Sequence, residues 1–319
     1  MSEQLLIGVD IGGTTIKFGI IKIEGTIIDK WEIETNKNDN AKSIPHDIWT
    51  SINLKLKKLD IDPTSILGIG VGAPGFVDVE TGDVSIAVNL GWKDFKLGKV
   101  LKELSGLPVI VDNDANIAAV GENWKGSGGL ADNLIAITLG TGVGGGIIAN
   151  SQVINGVNGT AGEIGHIMVE PEGTPCNCGR NGCLETVASA TGIVRQANEA
   201  ILSGSTTSLK DLSMLKELTA KDVFEAATSG DIVAQGIIDK VTDILGLAIA
   251  NMATIINPSI IVIGGGVSKA GDKLLTPLRK AFESYTLPRI DEGCRFVIAS
   301  LGNDAGIIGG AYLVKQAHH

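Results

Sequence analysis

The 319-residue chain is poor in aromatic side chains and in basic charge, and it has four cysteines. Its formal net charge of −10 would repel phosphate backbones, which argues against a nucleic-acid partner. No apolar run is long and uninterrupted enough to span a membrane. The first residues also lack the basic region and apolar core of a secretory signal. We therefore expect a cytoplasmic protein with no nucleic-acid or membrane partner.

Apolar residues make up 44% of the chain, although aromatic residues contribute only 4%. This content is enough to bury a core, so the chain is expected to be globular rather than disordered. The length exceeds what one small core needs, which favours two domains. The 43 glycines indicate many tight turns, including turns that could approach a ligand closely.

Two similar strand–tip–strand patterns open the two halves of the chain. Residues 5–9 and 16–23 are apolar and flank a Gly/Thr-rich tip, and residues 133–139 precede a second such tip at 140–146. Backbone N–H groups and threonine hydroxyls in such tips can hold phosphate oxygens. Asp10, beside the first tip, could hold Mg²⁺ through water. The repeat therefore favours phosphate binding from two sides, although the Walker-type P-loop motif is absent.

A polar cluster separates a predicted strand at 107–111 from a predicted helix. Apolar residues return at helical spacing after Asn113 and Asp114. In open α/β sheets, this strand edge is where ligands bind, and a carboxylate at a helix start is favoured in its ionised form. Asp114 is therefore a candidate catalytic carboxylate, and the alternative is that it is only a helix N-cap.

Three of the four cysteines lie close together: Cys176, Cys178 and Cys183. Zinc needs four nitrogen or sulfur ligands in a tetrahedron, and His166 is the nearest further donor in the sequence. A Cys3His site with four protein ligands would leave no open position, so the zinc is expected to be structural. It would fix the loop that carries Glu163 and Glu185, whose alternative roles are a turn residue and a helix cap.

Helical periodicity and capping signals mark much of the remaining chain. The spacing predicts helices over 44–59, 184–202 and 232–256. Thr219 and Asp222 have the spacing of a helix start, and Asp304 is placed to cap the final helix. The strand at 260–263 runs into glycines and then a helix, an arrangement that suits a nucleotide.

In this order, these motifs resemble those of the ROK family (repressor, open reading frame, kinase), and they are most similar to those of its bacterial glucokinases. The motifs that carry the resemblance are Asp10-Ile-Gly-Gly-Thr14, Asn113-Asp-Ala-Asn116, Leu139-Gly-Thr-Gly-Val-Gly144, Glu163-Ile-Gly-His166, the Cys176–Glu185 block and Ile263-Gly-Gly-Gly266. They run from the first strand to the last part of the chain, so the resemblance covers essentially all of it.

The resemblance implies an actin-like ATPase fold, also called ribonuclease H-like, with two α/β domains around a cleft. It places residues 1–114 and 304–319 in a small domain and residues 115–303 in a large one. It implies ATP-dependent phosphorylation of glucose at the 6-hydroxyl, with Asp114 as the general base. It also implies ATP, Mg²⁺ and structural Zn²⁺ as cofactors, and a homodimer.

The same resemblance implies three sets of ligand-binding residues. The sugar would be held by Gly75, Asn113, Asp114, Glu163, His166 and Glu185. ATP and its metal would be held by Asp10, Gly12, Gly13, Thr14, Thr15, Lys17, Gly140, Thr141, Gly142, Gly264, Gly265 and Gly266. Zinc would be held by His166, Cys176, Cys178 and Cys183.

Three alternatives stay open at this point. The preferred sugar could be mannose, allose, fructose, N-acetylglucosamine or N-acetylmannosamine, and the phosphoryl donor could be polyphosphate. The protein could instead be a sugar-responsive transcriptional regulator, the other branch of the family. Those regulators carry a helix-turn-helix ahead of the kinase-like part, and the predicted first strand at 5–9 and the acidic charge disfavour this alternative.

Overall fold

The computed structural model describes residues 3–318 and has a mixed α/β architecture. Its strands are β1 (Leu5–Ile11), β2 (Thr15–Lys22), β3 (Ile27–Glu34), β4 (Ile66–Ala73), β5 (Phe76–Asp78), β6 (Asp83–Ala87), β7 (Trp92–Phe95), β8 (Val109–Asn113), β9 (Leu134–Leu139), β10 (Val143–Ala149), β11 (Gln152–Val153), β12 (Ile260–Gly264) and β13 (Arg295–Ile298). Its helices are α1 (Asn38–Ala41), α2 (Ile44–Lys58), α3 (Leu97–Ser105), α4 (Asp114–Lys125), α5 (Leu184–Ala188), α6 (Ala190–Leu202), α7 (Leu209–Ser213), α8 (Ala220–Thr228), α9 (Ile232–Ile256), α10 (Asp272–Tyr285), α11 (Pro288–Gly293) and α12 (Ala305–Ala317).

The first sheet has the strand order β3-β2-β1-β4-β8. Strand β1 pairs antiparallel with β2 and parallel with β4, and β4 pairs parallel with β8. Nearly every residue of β1 and β4 is buried, as expected for strands covered on both faces. The carboxyl ends of these three parallel strands therefore meet at one edge of the sheet.

The two faces of this sheet pack against different helices. On one face, Ile7 and Val9 of β1 join a core with the apolar side of α2, whose buried residues recur every fourth position: Ile44, Ile48, Ile52 and Leu56. On the other face, Leu6 of β1 packs with Ile307 and Ile308 of α12. The alternation of strand side chains between faces explains why neighbouring β1 residues belong to separate cores.

Helix α12 lies unusually close to the sheet and to α4 because glycines line the contact. A methyl group on Gly8 of β1 would lie 1.8 Å from the carbonyl oxygen of Ile307. One on Gly309 of α12 would lie 1.7 Å from the carbonyl oxygen of Ile117 in α4. Only glycine fits at these positions.

The second five-stranded sheet has the order β11-β10-β9-β12-β13. Its interior strand β12 is fully buried and runs parallel to both β9 and β13. The long apolar helix α9 has the predicted bounds and contacts α5, α6, α8 and α10. A smaller antiparallel sheet contains β5, β6 and β7.

Contacts divide the chain into two compact units. Unit 1 comprises Met1–Leu130, Gly146–Gly162 and Ser300–His319, and unit 2 comprises Ala131–Gly145 and Glu163–Ala299. The division expected from the sequence, at 114/115 and 303/304, places α4 with the larger part, whereas α4 here groups with unit 1. The reason is the glycine-mediated contact between α4 and α12.

Among residues 3–318, no helix is both long enough and apolar enough to cross a membrane.

Candidate functional site

In unit 1, the parallel strands bring several predicted residues to one sheet edge. Asp10 lies in register with Gly72 of β4, and Gly72 in turn lies in register with Asp112 of β8. Asn113 ends β8 and Asp114 begins α4. The edge therefore carries a carboxylate at the end of β1 and a second carboxylate at the start of α4, as expected for ligand binding at the carboxyl ends of strands.

The N-cap of α4 is Asn113 rather than Asp114. The side-chain oxygen of Asn113 accepts hydrogen bonds from the backbone N–H groups of Ala115 (2.8 Å) and Asn116 (3.2 Å). Its Nδ2 donates to the carbonyl oxygen of Gly75 at 3.0 Å. Asp114 is partly buried, and its Oδ1 accepts from the N–H of Ala115 at 2.8 Å. Asp114 thus lies in the first helical turn, where the positive end of the helix dipole favours its carboxylate form.

The first Gly/Thr tip connects β1 to β2 through residues 12–14. The tip is closed by a 2.9 Å hydrogen bond from the N–H of Gly12 to the carbonyl oxygen of Thr15. Thr35, just after β3, donates its hydroxyl to the Gly12 carbonyl and its N–H to that of Thr14. Gly13 lies between them, so the predicted tip residues are held as one short, braced turn.

Asp10 and Lys17 face each other across this hairpin as a β1–β2 pair. Burial raises the pKa of Asp10, and the positive charge of Lys17 partly opposes that shift. A bound divalent cation would favour the charged form of Asp10 further. Gly306 of α12 packs directly against this carboxylate, since a methyl group there would lie 2.7 Å from Asp10 Oδ2.

The second tip, in unit 2, spans Gly140, Thr141 and Gly142 between β9 and β10. It is braced by the start of α6. The N–H of Ala190 donates to the Gly140 carbonyl at 2.8 Å, and the hydroxyl of Thr191 donates to the Thr141 carbonyl at 2.8 Å. Both tips are therefore held by hydrogen bonds from a neighbouring segment.

The structure brings together the four predicted zinc ligands in unit 2. Donor atoms of His166, Cys176, Cys178 and Cys183 all lie within 4.8 Å of one another. The His166 Nδ1 to Cys176 Sγ distance is 3.7 Å, and the Cys178 and Cys183 sulfurs are 3.6 Å apart. Tetrahedral zinc–thiolate bonds place sulfurs about 3.8 Å apart, so these two distances are compatible with a bound zinc ion.

The thiols of this cluster differ in acidity. Hydrogen bonds from the backbone and side chain of Arg180 lower the pKa of Cys178 to about 6. Burial raises the pKa of Cys183 to about 12. A metal ion would displace the remaining protons, because thiolates are the form that binds zinc. Arg180 also donates to the carbonyl oxygen of His166 at 2.9 Å, which links the histidine to the cysteine loop.

The two predicted glutamates lie beside this cluster. Glu163 Oε2 is 4.0 Å from His166 Nε2. Burial raises the pKa of Glu163; the charge of His166 opposes this shift, and the negative charge of Glu185 adds to it. Glu185 Oε2 accepts the N–H of Val143 at 3.1 Å, just after the second tip. A methyl group on Gly142 would lie 2.2 Å from that oxygen. Glu185 therefore couples the cysteine loop to the second tip.

The strand β12 ends in the third predicted glycine group. Gly264 ends β12, Gly265 has φ +83° and packs against Leu139, and Gly266 caps a short 3-10 turn, Val267–Ala270. Gly266 lines a cavity of about 530 Å³ in unit 2. The other lining residues are Ala190, Thr219, Ala220, Lys221, Phe224, Glu225, Val267, Lys269, Ala270 and Lys273.

Most walls of this cavity were not predicted as site residues. The α8 residues Lys221 and Phe224 and the α10 residue Lys273 carry no sequence motif. The helix start predicted at Thr219 and Asp222 is confirmed: the two residues form a capping box that starts α8 at the cavity edge, although neither was predicted to bind a ligand. Ser189 is a signal that the sequence reasoning missed: it ends α5 and caps α6, where one continuous helix was predicted.

A model of the ROK family matches residues 6–317. The chain belongs to the ROK family. It is 55% identical to a glucokinase of Halalkalibacterium halodurans, over 99% of this chain and 96% of that protein. It is similar, with a TM-score of 0.77 and 35% identity, to a ROK glucokinase of Streptomyces griseus solved with glucose and AMPPNP, over 98% of this chain and 99% of that one.

The regulator branch of the ROK family is also similar to this chain. A ROK transcriptional regulator, a homologue of the E. coli MLC protein, superposes with a TM-score of 0.86 at 28% identity. The alignment covers 99% of this chain and 78% of the regulator. The expected fold is confirmed by these ROK structures.

Proposed function

We propose that this ROK protein transfers the γ-phosphoryl group of ATP to the 6-hydroxyl of glucose. The observation that carries the proposal is the Asn113–Asp114 corner: an oriented carboxylate in the first turn of α4, at the carboxyl ends of the parallel strands β1, β4 and β8. The H. halodurans relative, at 55% identity, is a glucokinase, and the S. griseus structure holds glucose and an ATP analogue.

Asp114 would act as the base. Its ionised carboxylate accepts the proton of the 6-hydroxyl as the hydroxyl oxygen bonds to the γ-phosphorus and the bond to ADP breaks. Phosphoryl transfer depends on positioning and charge neutralisation more than on a strong base, so an ordinary carboxylate held at a helix start is sufficient.

Other polar groups would hold the remaining sugar hydroxyls. Asn113 uses one N–H on Gly75 and can donate its second N–H to a hydroxyl. In unit 2, Glu163 and His166 present Oε2 and Nε2 beside each other, and Glu185 lies in the same loop region. Because a sugar has many hydroxyls and no charge, carboxylate, amide and imidazole groups suit its recognition.

The nucleotide would be held by the two tips and the unit 2 cavity. Backbone N–H groups and threonine hydroxyls of residues 12–15 and 140–142 can contact phosphates, and Lys17 adds a positive charge. Asp10 would hold Mg²⁺, which neutralises phosphate charge when bound. The cavity at Gly266 and Phe224 is large enough for an adenosine group, and Gly264 and Gly265 directly precede Gly266 in the chain.

Zinc would be held by His166, Cys176, Cys178 and Cys183, whose donor spacing supports it. When bound, it supplies a structural cross-link rather than chemistry, because four protein ligands leave no open position. With Nδ1 towards the cysteines, His166 keeps Nε2 towards Glu163. The homodimer and the cytoplasmic location inferred from the sequence belong to the same proposal.

The test is an ADP-release assay over glucose, mannose, allose, fructose, N-acetylglucosamine and N-acetylmannosamine, with ATP or polyphosphate as donor. We expect glucose and ATP to give the highest kcat/KM, and Asp114→Ala to lower kcat at least ~100-fold. Asp47→Ala is the matched control, since Asp47 lies in the first turn of α2. An Asp114→Ala protein as active as wild type would refute the mechanism, whereas preference for another hexose would refute only the glucose assignment.

A further inference from the structure

Asp112 is a buried carboxylate next to the Asn113–Asp114 corner, and it has no role in the proposed mechanism. Its side chain is 4% exposed. Three donors converge on Oδ1: the N–H of Asn113 at 2.7 Å, Asn116 Nδ2 at 2.9 Å and Asn155 Nδ2 at 2.9 Å. Asn155 Nδ2 also lies 3.0 Å from Oδ2. Only an acceptor group can receive all of these bonds, so the site requires a carboxylate or its close equivalent.

The bonds that Asp112 accepts from Asn113 and Asn116 fix the turn that carries Asp114. Asn116 is held twice, by Asp112 through its side-chain amide and by Asn113 Oδ1 through its backbone N–H. Asn113 is likewise held through its own N–H. The residues on both sides of Asp114 are therefore tied to one buried carboxylate.

The third bond extends the same network to the 155–161 loop. The carbonyl oxygen of Asn155 accepts the N–H of Ala161 at 3.1 Å, which closes the loop. Gly159 in this loop packs against β5, because a methyl group there would lie 2.1 Å from the carbonyl oxygen of Val77. Asp112 thus connects the start of α4 with a loop that contacts the neighbouring strand.

We infer that Asp112 is a positioning residue for the phosphoryl transfer, which orients the Asn113–Asp114 corner through Asn116 and locks the 155–161 loop to it through Asn155. This inference rests on the proposed sugar-kinase function. Burial without these donors would leave an uncompensated polar group in the core. Burial raises the pKa of Asp112, and the bonds from Asn116, Asn155 and Asn113 oppose that shift.

The network allows a rescue experiment. In Asp112→Asn, the new amide nitrogen takes the place of Oδ2 and faces Asn155 Nδ2, so two donors oppose each other there and Asn155 keeps only its bond to the oxygen at the Oδ1 position. In the double variant Asp112→Asn/Asn155→Asp, the amide oxygen still accepts from Asn113 and Asn116, and its nitrogen donates to the new carboxylate. The swap therefore keeps the bonds from Asn113 and Asn116 and restores a hydrogen bond between residues 112 and 155 on the Oδ2 side, with donor and acceptor exchanged.

The assay is steady-state ADP release with glucose and ATP, together with the thermal unfolding midpoint of each protein. We expect Asp112→Asn to lower kcat ~30-fold with the KM for ATP within ~2-fold, because a small misplacement of a reacting group is costly. The swap should recover kcat to within ~5-fold of wild type. Asp231→Asn is the matched control: Asp231 is also a multiply hydrogen-bonded helix-start carboxylate, but it caps α9 in unit 2, and its loss should leave kcat unchanged.

Two results would overturn the inference: an Asp112→Asn enzyme with wild-type kcat, or a swap that folds but is no more active than the single variant. If Asp112→Asn does not fold, the swap alone decides, since it keeps the bonds from Asn113 and Asn116 and a hydrogen bond between residues 112 and 155. A wild-type protein without sugar-kinase activity would instead refute the proposed function.

Discussion

The contact between α12 and α4 predicts that one substitution, Gly to Ala, has opposite effects at two helical positions. In Gly309→Ala, the new methyl group would lie 1.7 Å from the Ile117 carbonyl oxygen, whereas ordinary contact starts at 3.4 Å. The helices would have to separate by the difference, about 1.7 Å, because a backbone oxygen cannot rotate aside. Gly236 in α9 is the control, since nothing lies within 4 Å of a methyl group there.

The expected magnitudes follow from packing and helix propensity. Overpacking of this kind costs about 3 kcal/mol, and replacing a helical glycine by alanine returns about 1 kcal/mol. We therefore expect Gly309→Ala to lower the free energy of unfolding by about 2 kcal/mol. Gly236→Ala should raise it by about 0.5–1 kcal/mol, because only the propensity gain remains.

Urea unfolding followed by tryptophan fluorescence measures the Gly309 effect directly. The chain has four tryptophans, and all lie in unit 1, so fluorescence reports on that unit: Trp31, Trp49, Trp92 and Trp124. With a slope of about 2 kcal/mol/M, the midpoint of Gly309→Ala should fall by about 1 M. Gly236 lies in unit 2, so its effect is read by far-ultraviolet circular dichroism. A wild-type midpoint for Gly309→Ala would refute the close approach of α12 to α4.

Three further predictions concern unit 2. Cys178→Ser protein should lose its zinc by elemental analysis, while Cys294→Ser, outside the cluster, should keep it; equal zinc in both would contradict the Cys3His assignment. Glu163→Gln should raise the KM for glucose ~10-fold. In the wild type, the KM should rise on acidification, and this rise should begin at a higher pH than for an ordinary glutamate because burial raises the pKa of Glu163. The Glu163→Gln protein should lack this pH-dependent rise in KM. Burial alone would raise the pKa of Asp231, but hydrogen bonds from Ala234, Ser208 and Thr207 lower it to about 2. Its stabilisation is therefore complete above pH 3.8 and lost as pH falls towards 2. The free energies of unfolding of wild type and Asp231→Asn should differ by roughly 1 kcal/mol at neutral pH, and their thermal midpoints should converge in acid.

Local patterns in the sequence predicted most elements because the physics behind them is local. The four-residue spacing in α2 and the apolar run of α9 are visible without tertiary context, and both helices form. The Thr219–Asp222 capping box depends on residues three apart and is also present. The cysteine cluster follows the same rule, since three of its donors lie within eight residues of one another.

The sequence predictions failed where a residue far away in the sequence binds a group whose role had been predicted from its neighbours. Asp304 takes the N-cap position of α12 as expected, but its carboxylate makes no cap hydrogen bond and instead binds the Lys30 ammonium group on β3 at 2.7 Å. Ser189 ends α5 and starts α6, and this break lets the Ala190 N–H reach the Gly140 carbonyl oxygen. In both cases, the partner lies far away in the sequence, so periodicity alone could not identify it.

The same distinction explains why Asp114 was visible from the sequence and Asp112 was not. Asp114 lies at a strand–helix junction, which the change of apolar spacing reveals. Asp112 differs in that one of its partners, Asn155, is supplied from 43 positions away. A carboxylate at the end of a buried strand is ambiguous until its donors are known, because burial without donors would be costly. Only the fold shows that Asp112 is the carboxylate on which the donors of Asn113, Asn116 and Asn155 converge.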